Sequence, residues 1–399
     1  MRASQRRTRH FLAKGVLVIV SLLLPLGAFE VGLRIFYPKY EYAADAQYER
    51  SMSRIWVRTK NTHYTREHPD TGNSHPVYHN NLSLRQHRDV SPKEIQEATN
   101  IGFFGDSFLE NLRLPAQQTF VEFLDYLLNE SGSSFNVLNF GVDGYGTGQS
   151  FLSYRDFEFS EELDHVYYLF CVNDLRNIYE NNLFGLDESG QLFQTQVPPT
   201  SLWKKTVGRF HLTYLIIDSF QKRAQETRFQ DEAGVLLENA AFKGKQTAEL
   251  KRTAAIFKAL LLEWKQTAEN QGAQFHVVLL PRLQEYQSRH FIPSEIDTID
   301  LFKLFYDNIE QYDYQDWHFE SDGHWDEAAN QMAATFLLRS LEKKLNLSPI
   351  SDEELKRRTS DYYSSFDGWT PEGKYLLQTP VDPQIKDTIK RRYAELELE

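Results

Sequence analysis

Five residues widely separated in the chain have the types needed for acyl transfer from an ester. Ser107 lies in "IGFFGDSFLEN" (101–111), Gly144 in "NFGVDGYGTG" (139–148), Asn173 in "CVNDLRN" (171–177), and Asp322 and His324 in "DGHWD" (322–326). A serine hydroxyl is too weakly acidic to attack a carbonyl unaided. A histidine must take its proton and later return it to the leaving alcohol, while a carboxylate orients the imidazole. The oxygen that gains charge as the carbonyl becomes tetrahedral needs donors already aimed at it. The backbone N–H groups of Ser107 and Gly144 and the Asn173 amide are three such donors. Taken alone, each residue has a plainer reading. Ser107 is a good helix N-cap, Gly144 a turn glycine, Asn173 with Asp174 an Asx turn, and His324 a buried histidine. Asp316 and Asp326 are alternatives to Asp322. Asp106 is expected to brace the loop and Asp174 to be structural.

Positioning these residues needs a scaffold, and the hydrophobic pattern supplies one. "NIGFF", "FNVLNFG", "DHVYYLF" and "AQFHVVLLP" read as buried strands, and "TFVEFLDYLLNES", "TAELKRTAAIFKALLLEWKQTAEN" and "DEAANQMAATFLLRSLEKKL" (326–345) as helices. Strands alternating with helices imply a parallel sheet, whose ligands bind beyond the carboxyl ends of the strands. Ser107, the Gly-rich loop and Asn173 each follow a strand, and His324 precedes the last of these helices.

With these blocks in order, the chain resembles an SGNH hydrolase of the GDSL esterase and lipase superfamily. "GDSF" resembles the first block and places the nucleophile on Ser107. Asn139 followed five residues later by Gly144 fits the second, with Gly141 as a turn residue. "CVND" resembles the third, with Cys171 at the usual glycine position and the oxyanion amide on Asn173. The fifth block usually sets Asp three residues before His, where this chain has Ser321. "DGHW" instead resembles the D-x-H-W pattern of cell-envelope polysaccharide O-acetyltransferases, which puts the orienting role on Asp322. "HNNLSLRQHRD" (79–89) resembles the lead-in of membrane-anchored bacterial members, with Ser83 in place of a glycine. The resemblance covers about 100–345 and implies a three-layer α/β/α sandwich around a parallel sheet of about five strands ordered 2-1-3-4-5. It further implies an acyl-serine intermediate with no metal or organic cofactor.

Bulk properties limit partners and location. The 399 residues carry 44 Lys and Arg against 56 Asp and Glu, a net charge of −12 without a basic stripe, so nucleic acid is not expected as a partner. Cys171 is the single cysteine; it allows no intramolecular disulfide and reads as a small hydrophobe in a strand. His63, His68, His75, His79 and His87 form a histidine-rich stretch, but Pro76 argues against a helix that would pair His75 with His79 on a metal.

Residues 1–14 are basic and residues 15–29 ("GVLVIVSLLLPLGAF") apolar, so 1–37 is expected to be a cytoplasmic stub and transmembrane anchor, with a cleaved signal peptide as the rival. A single pass would leave the body in the periplasm or outside the cell. Residues 38–98 read as a linker and irregular lead-in containing a short capped helix at "SPKEIQEA", 99–348 as the hydrolase-like domain with a cap-like insertion at about 183–272, and 349–399 as a charged tail. The function expected is a serine esterase acting on an acylated carbohydrate or small ester. The alternatives are an O-acyltransferase for envelope polysaccharide, an inactive glycan-binding scaffold, and a long-chain lipase.

Overall fold

The structure is a computed structural model that describes residues 2–36, 47–130, 134–197, 212, 241, 247–307, 319 and 322–364. The chain divides into two units, one of Met1–Glu49 with Pro198–Glu232 and one of Arg50–Val197 with Ala233–Glu399. In chain order the strands are β1 (Tyr48–Ser51), β2 (Ile55–Arg58), β3 (Thr62–Glu67), β4 (Ser74–His79), β5 (Thr99–Gly105), β6 (Phe135–Gly141), β7 (His165–Phe170), β8 (Phe184–Leu186), β9 (Leu192–Gln194), β10 (Gln274–Leu279) and β11 (Asp297–Asp300). The helices are α1 (Arg2–Phe36), α2 (Pro92–Glu97), α3 (Ser107–Glu110), α4 (Phe120–Asn129), α5 (Thr147–Arg155), α6 (Asn173–Asn181), α7 (Ala248–Asn270), α8 (Leu283–Ser288), α9 (Leu301–Asp307), α10 (Glu327–Lys344) and α11 (Asp352–Ser364).

Five strands form one parallel sheet in the order β11-β10-β7-β5-β6. Counted along the chain this is 2-1-3-4-5, as expected. Successive strand residues point to opposite faces, and each face has its own core. Phe104, Tyr168 and Phe275 meet Trp264 of α7 on one side, with residues of α2, α5 and α6. Ile101, Phe103, Tyr167 and Val278 meet α4, α10 and α11 on the other. The three-layer sandwich follows from these two buried surfaces. The chain moves from β5 out to β6 and then returns to the far side of β5, which opens a crevice between β5 and β7 where ligands of such sheets collect.

Several expectations need correction. The lead-in is not irregular throughout, because Thr62–Glu67 and Ser74–His79 pair antiparallel. His75, Val77 and His79 face inward, and Ser74, Pro76 and Tyr78 outward. At about 3.3 Å per residue, His75 and His79 stand too far apart to share a metal; they bond instead to Leu112 O and to Glu110. The expected cap at 183–272 ends in α7, whose Phe257, Leu260, Leu261 and Trp264 belong to the sandwich core. Most of 198–246, including nearly all of "LTYLIIDSF", lies outside the described residues. The charged tail contains α11, which buries Leu355, Thr359 and Tyr363 at spacings of four, with Tyr363 against Phe123 of α4. Residues 365–399 lie outside the described residues.

The transmembrane anchor expected at 1–37 is also not supported, since among the described residues no helix is long and apolar enough to cross a membrane. The run 15–29 is shorter than the roughly 20 residues a span needs, and its continuation brings in Glu30 and Arg34, which pair at 2.9 Å. α1 instead runs unbroken from Arg2 to Phe36 through Pro25.

The lead-in also holds Ser83 in a backbone conformation that favours glycine. Asn80 Oδ1 accepts from the Leu82 and Leu84 backbone N–H groups, and the turn they close places Ser83 at φ 65°. A non-glycine residue in that region costs roughly 1–2 kcal/mol, against about 0.5–1 kcal/mol of extra chain entropy lost by glycine. Ser83→Gly is therefore expected to stabilise the protein by about 0.5–1 kcal/mol in urea denaturation. An unchanged or lower midpoint would mean that the serine hydroxyl offsets the strain.

Candidate active site

Ser107 is the first residue of α3, immediately beyond β5, but it is not the cap. Asp106 takes that position, its Oδ1 accepting from the Phe108 N–H at 3.0 Å. Its Oδ2 accepts from Asn173 Nδ2 at 2.9 Å, so one carboxylate fastens the Asn173 amide to the serine turn. Burial pushes the Asp106 pKa up, against the pull of these two donors. The serine hydroxyl is thus left for another partner. That partner is His324, whose Nε2 lies 2.8 Å from Ser107 Oγ across 217 positions of sequence.

His324 Nδ1 is hydrogen bonded to Asp322 Oδ1. The two-residue spacing works because Gly323 adopts φ 73°, which side chains rarely tolerate. The backbone closes the same turn, with Phe319 N–H donating to His324 O at 3.0 Å and Gly323 N–H to Phe319 O at 3.2 Å. Arg113 donates from Nε to both Asp322 oxygens at 3.2 and 3.1 Å. Burial raises the Asp322 pKa, but the Arg113 guanidinium and the His324 ring outweigh it and hold the carboxyl below its ordinary value. Of the alternatives, Asp326 caps α10 through the Ala329 N–H, and Asp316 lies outside the described residues.

Gly144 sits in the turn after β6, where Tyr145 N–H returns to Val142 O at 3.0 Å. Its φ of 78° is what the third residue of a type II turn requires. The turn is tied to the end of β5 by Val142 N–H donating to Gly105 O. Among the described residues, neither the Ser107 nor the Gly144 backbone N–H has a partner. Gly141 is not a turn residue as expected but the last residue of β6, and a Cβ there would lie 2.4 Å from the Glu110 backbone nitrogen. Its role is to let α3 lie against the sheet. Asn139 fixes the same contact, donating to Leu109 O and accepting from the Gly141 N–H.

Asp174 accepts from Cys171 N–H and from the Tyr168 hydroxyl and is a brace, as expected. The Cys171 thiol is buried beside Glu285, and burial pushes its pKa up, which suits packing rather than nucleophilic attack.

The groups that hold these parts together carry no signal in the sequence. Glu110, on the last turn of α3, is fully buried. It accepts two hydrogen bonds from Arg58, at 2.6 and 2.7 Å, one from His79 at 2.8 Å and one from the Asp143 N–H at 2.6 Å. Burial alone would raise its pKa, but Arg58 and His79 override that and hold it far below the ordinary carboxylate range. His79 is itself held below its ordinary pKa, chiefly by burial and against the pull of Glu110, and its Nε2 donates to that carboxylate. No local spacing announces these partners, which join residues 52 and 31 positions apart.

Removing one member of a buried ion pair costs about 3–5 kcal/mol because the other charge is left unpaired. Glu110→Gln is expected to lose stability of that order at pH 7. A carboxylate with a depressed folded-state pKa contributes stability that is full above its unfolded pKa and drains away as pH falls through that range toward the folded value. The gap between wild type and variant should therefore narrow from pH 7 to pH 4 in chemical denaturation. A gap that stayed constant would contradict the ionised state of Glu110.

No protein-family model matches the chain, and no curated protein does. Among solved structures it is similar to the psychrotrophic esterase EstA from Pseudoalteromonas sp., at 12% identity and TM-score 0.35 over 62% of this chain and 99% of that one. It is likewise similar to a lipase/acylhydrolase from Enterococcus faecalis, at 13% identity and TM-score 0.35 over 63% and 99%. An acetyl xylan esterase, AlAXEase, matches at 14% identity and TM-score 0.34 over 61% and 99%. At such identities and TM-scores the likeness is remote, and the chemistry of the site rests on its own geometry.

Proposed function

We propose that the protein is a serine esterase that transfers the acyl group of its substrate to Ser107. The observation that carries this is the chain of hydrogen bonds from Ser107 Oγ through His324 to Asp322, with a 2.8 Å link between the hydroxyl and the imidazole. That distance is the reach a general base needs.

In the first step His324 Nε2 takes the Ser107 proton as Oγ bonds to the acyl carbon. The carbonyl oxygen gains the displaced electron pair and is met by the Ser107 and Gly144 N–H groups and the second Asn173 amide hydrogen. The first amide hydrogen is committed to Asp106. Asp322 keeps His324 oriented with Nε2 toward the serine and stabilises the imidazolium. Collapse of the tetrahedral species breaks the bond to the alcohol, which leaves with the proton from His324. Water activated by the same base then releases the acid and restores Ser107.

A second reading has a specific basis. Asp322, Gly323, His324 and Trp325 reproduce the D-x-H-W order of envelope polysaccharide O-acetyltransferases, and Trp325 is fully buried against Phe108 beside the serine. If a sugar hydroxyl takes the place of water, the same residues make an O-acyltransferase acting on a glycan. An extracytoplasmic location is part of this proposal and is supported by the basic residues 2–14 followed by the apolar run 15–29. Release of the body on spheroplasting, or its digestion by protease added to intact spheroplasts, checks it, and retention with full protection would refute it.

A fluorophosphonate probe is expected to label the wild type at Ser107 and to leave Ser107→Ala unlabelled. Asn173→Ala should lower kcat on aryl acetates by about 10²–10³ while changing KM little. Absence of labelling in folded wild type would sink both readings. Free acetate from an acetylated glycan, against acetyl transfer to a second glycan, separates hydrolysis from transfer.

A further inference from the structure

Arg113 belongs to none of the sequence blocks, yet it touches both halves of the site. It lies on the loop between α3 and α4, with Nε donating to Asp322 Oδ1 at 3.2 Å and Oδ2 at 3.1 Å. Its Nη1 lies 3.8 Å from Asp143 Oδ2. Asp143 directly precedes Gly144, and its backbone is fixed from the other side by Glu110. One guanidinium therefore faces the carboxylate that orients the base and the carboxylate beside the oxyanion glycine.

Such a clamp answers a particular weakness. The Asp322 side chain is 27% exposed, whereas that of Arg113 is 18% exposed. Water competes for an exposed carboxylate, and Gly323, the residue between Asp322 and His324, has no side chain to brace it. A guanidinium presents its donors in a rigid planar fork and can face two carboxylates at once, which an ammonium group cannot do with the same geometry.

We propose that Arg113 is a positioning residue that holds Asp322 and the Asp143–Gly144 turn in a single frame, so that base and oxyanion donors are registered on Ser107. The inference rests on the serine-esterase reading, and the two fail separately. Labelling of the wild type at Ser107 belongs to that reading, and the labelling rate of Arg113 variants belongs to this one.

The test compares wild type, Arg113→Ala and Arg113→Lys in fluorophosphonate labelling and p-nitrophenyl acetate hydrolysis, with thermal melts alongside. Arg113→Ala should label on the order of 10²-fold more slowly, the penalty of a small misplacement of reacting groups. Its kcat should fall in parallel with KM nearly unchanged. Guanidinium ion at a non-denaturing concentration should restore part of the rate, and Arg113→Lys should fall between the two. The proposal is overturned if Arg113→Ala matches wild type, or if it is slow and folded yet indifferent to guanidinium. Should Arg113→Ala unfold, Arg113→Lys decides: slower labelling at an unchanged melting temperature supports the proposal, and a wild-type rate overturns it.

Discussion

The arrangement depends on one buried carboxylate. Glu110 sits three residues beyond Ser107 and receives four hydrogen bonds, from Arg58, His79 and the Asp143 backbone. These donors come from β2, from β4 and from the turn that carries Gly144. A carboxylate in that position is costly unless every lone pair is engaged. Once engaged, it fixes the depth of α3, the position of the two lead-in strands and the start of the Gly144 turn together. The lead-in thus packs as part of the wall of the site. Gly141 and Asn139 complete the arrangement from below, the first by yielding space to α3 and the second by bonding to it.

Two further carboxylates divide the remaining labour. Asp106 is buried and gives both oxygens to donors that shape the serine turn and the Asn173 amide. Asp322 is half-buried and shared between His324 and Arg113. Burial acts on both in the same direction, but only Asp322 has a guanidinium against it, and the shifts part accordingly: Asp106 upward and Asp322 downward. The difference suits their places, since a group that orients a base must stay ionised while a loop brace need only accept hydrogen bonds.

Much of this was legible in the sequence where local pattern and tertiary structure agree. The four strand runs and the helix starts at Ser91, Thr247 and Asp326 match the structure because fully buried parallel strands and capped helices leave strong local signatures. β4 was hidden because two of its three inward residues are histidines and Pro76 interrupts it, which leaves Val77 as its one apolar inward side chain and no apolar alternation to read. β11 is a four-residue edge strand bounded by aspartates, and α11 buries only three residues along a charged helix. At the site, the candidate catalytic residues, which the structure brings together around Ser107 and His324, were readable from type and order. Those that position them were not: Arg58, Glu110 and Arg113 are ordinary surface residue types whose partners are set only by the fold.

The division of roles between Asp106 and Ser107 has a practical consequence. Because the aspartate caps α3, the serine hydroxyl contributes no bond to the backbone around it, and chemistry and folding are separable at this one oxygen. A chain lacking that oxygen keeps the shape of the site and, on the proposed reading, loses its nucleophile. Used as immobilised bait, such a chain would, on the serine-esterase reading proposed above, hold an ester that the intact chain would cleave, and so name the substrate from the protein's own contacts.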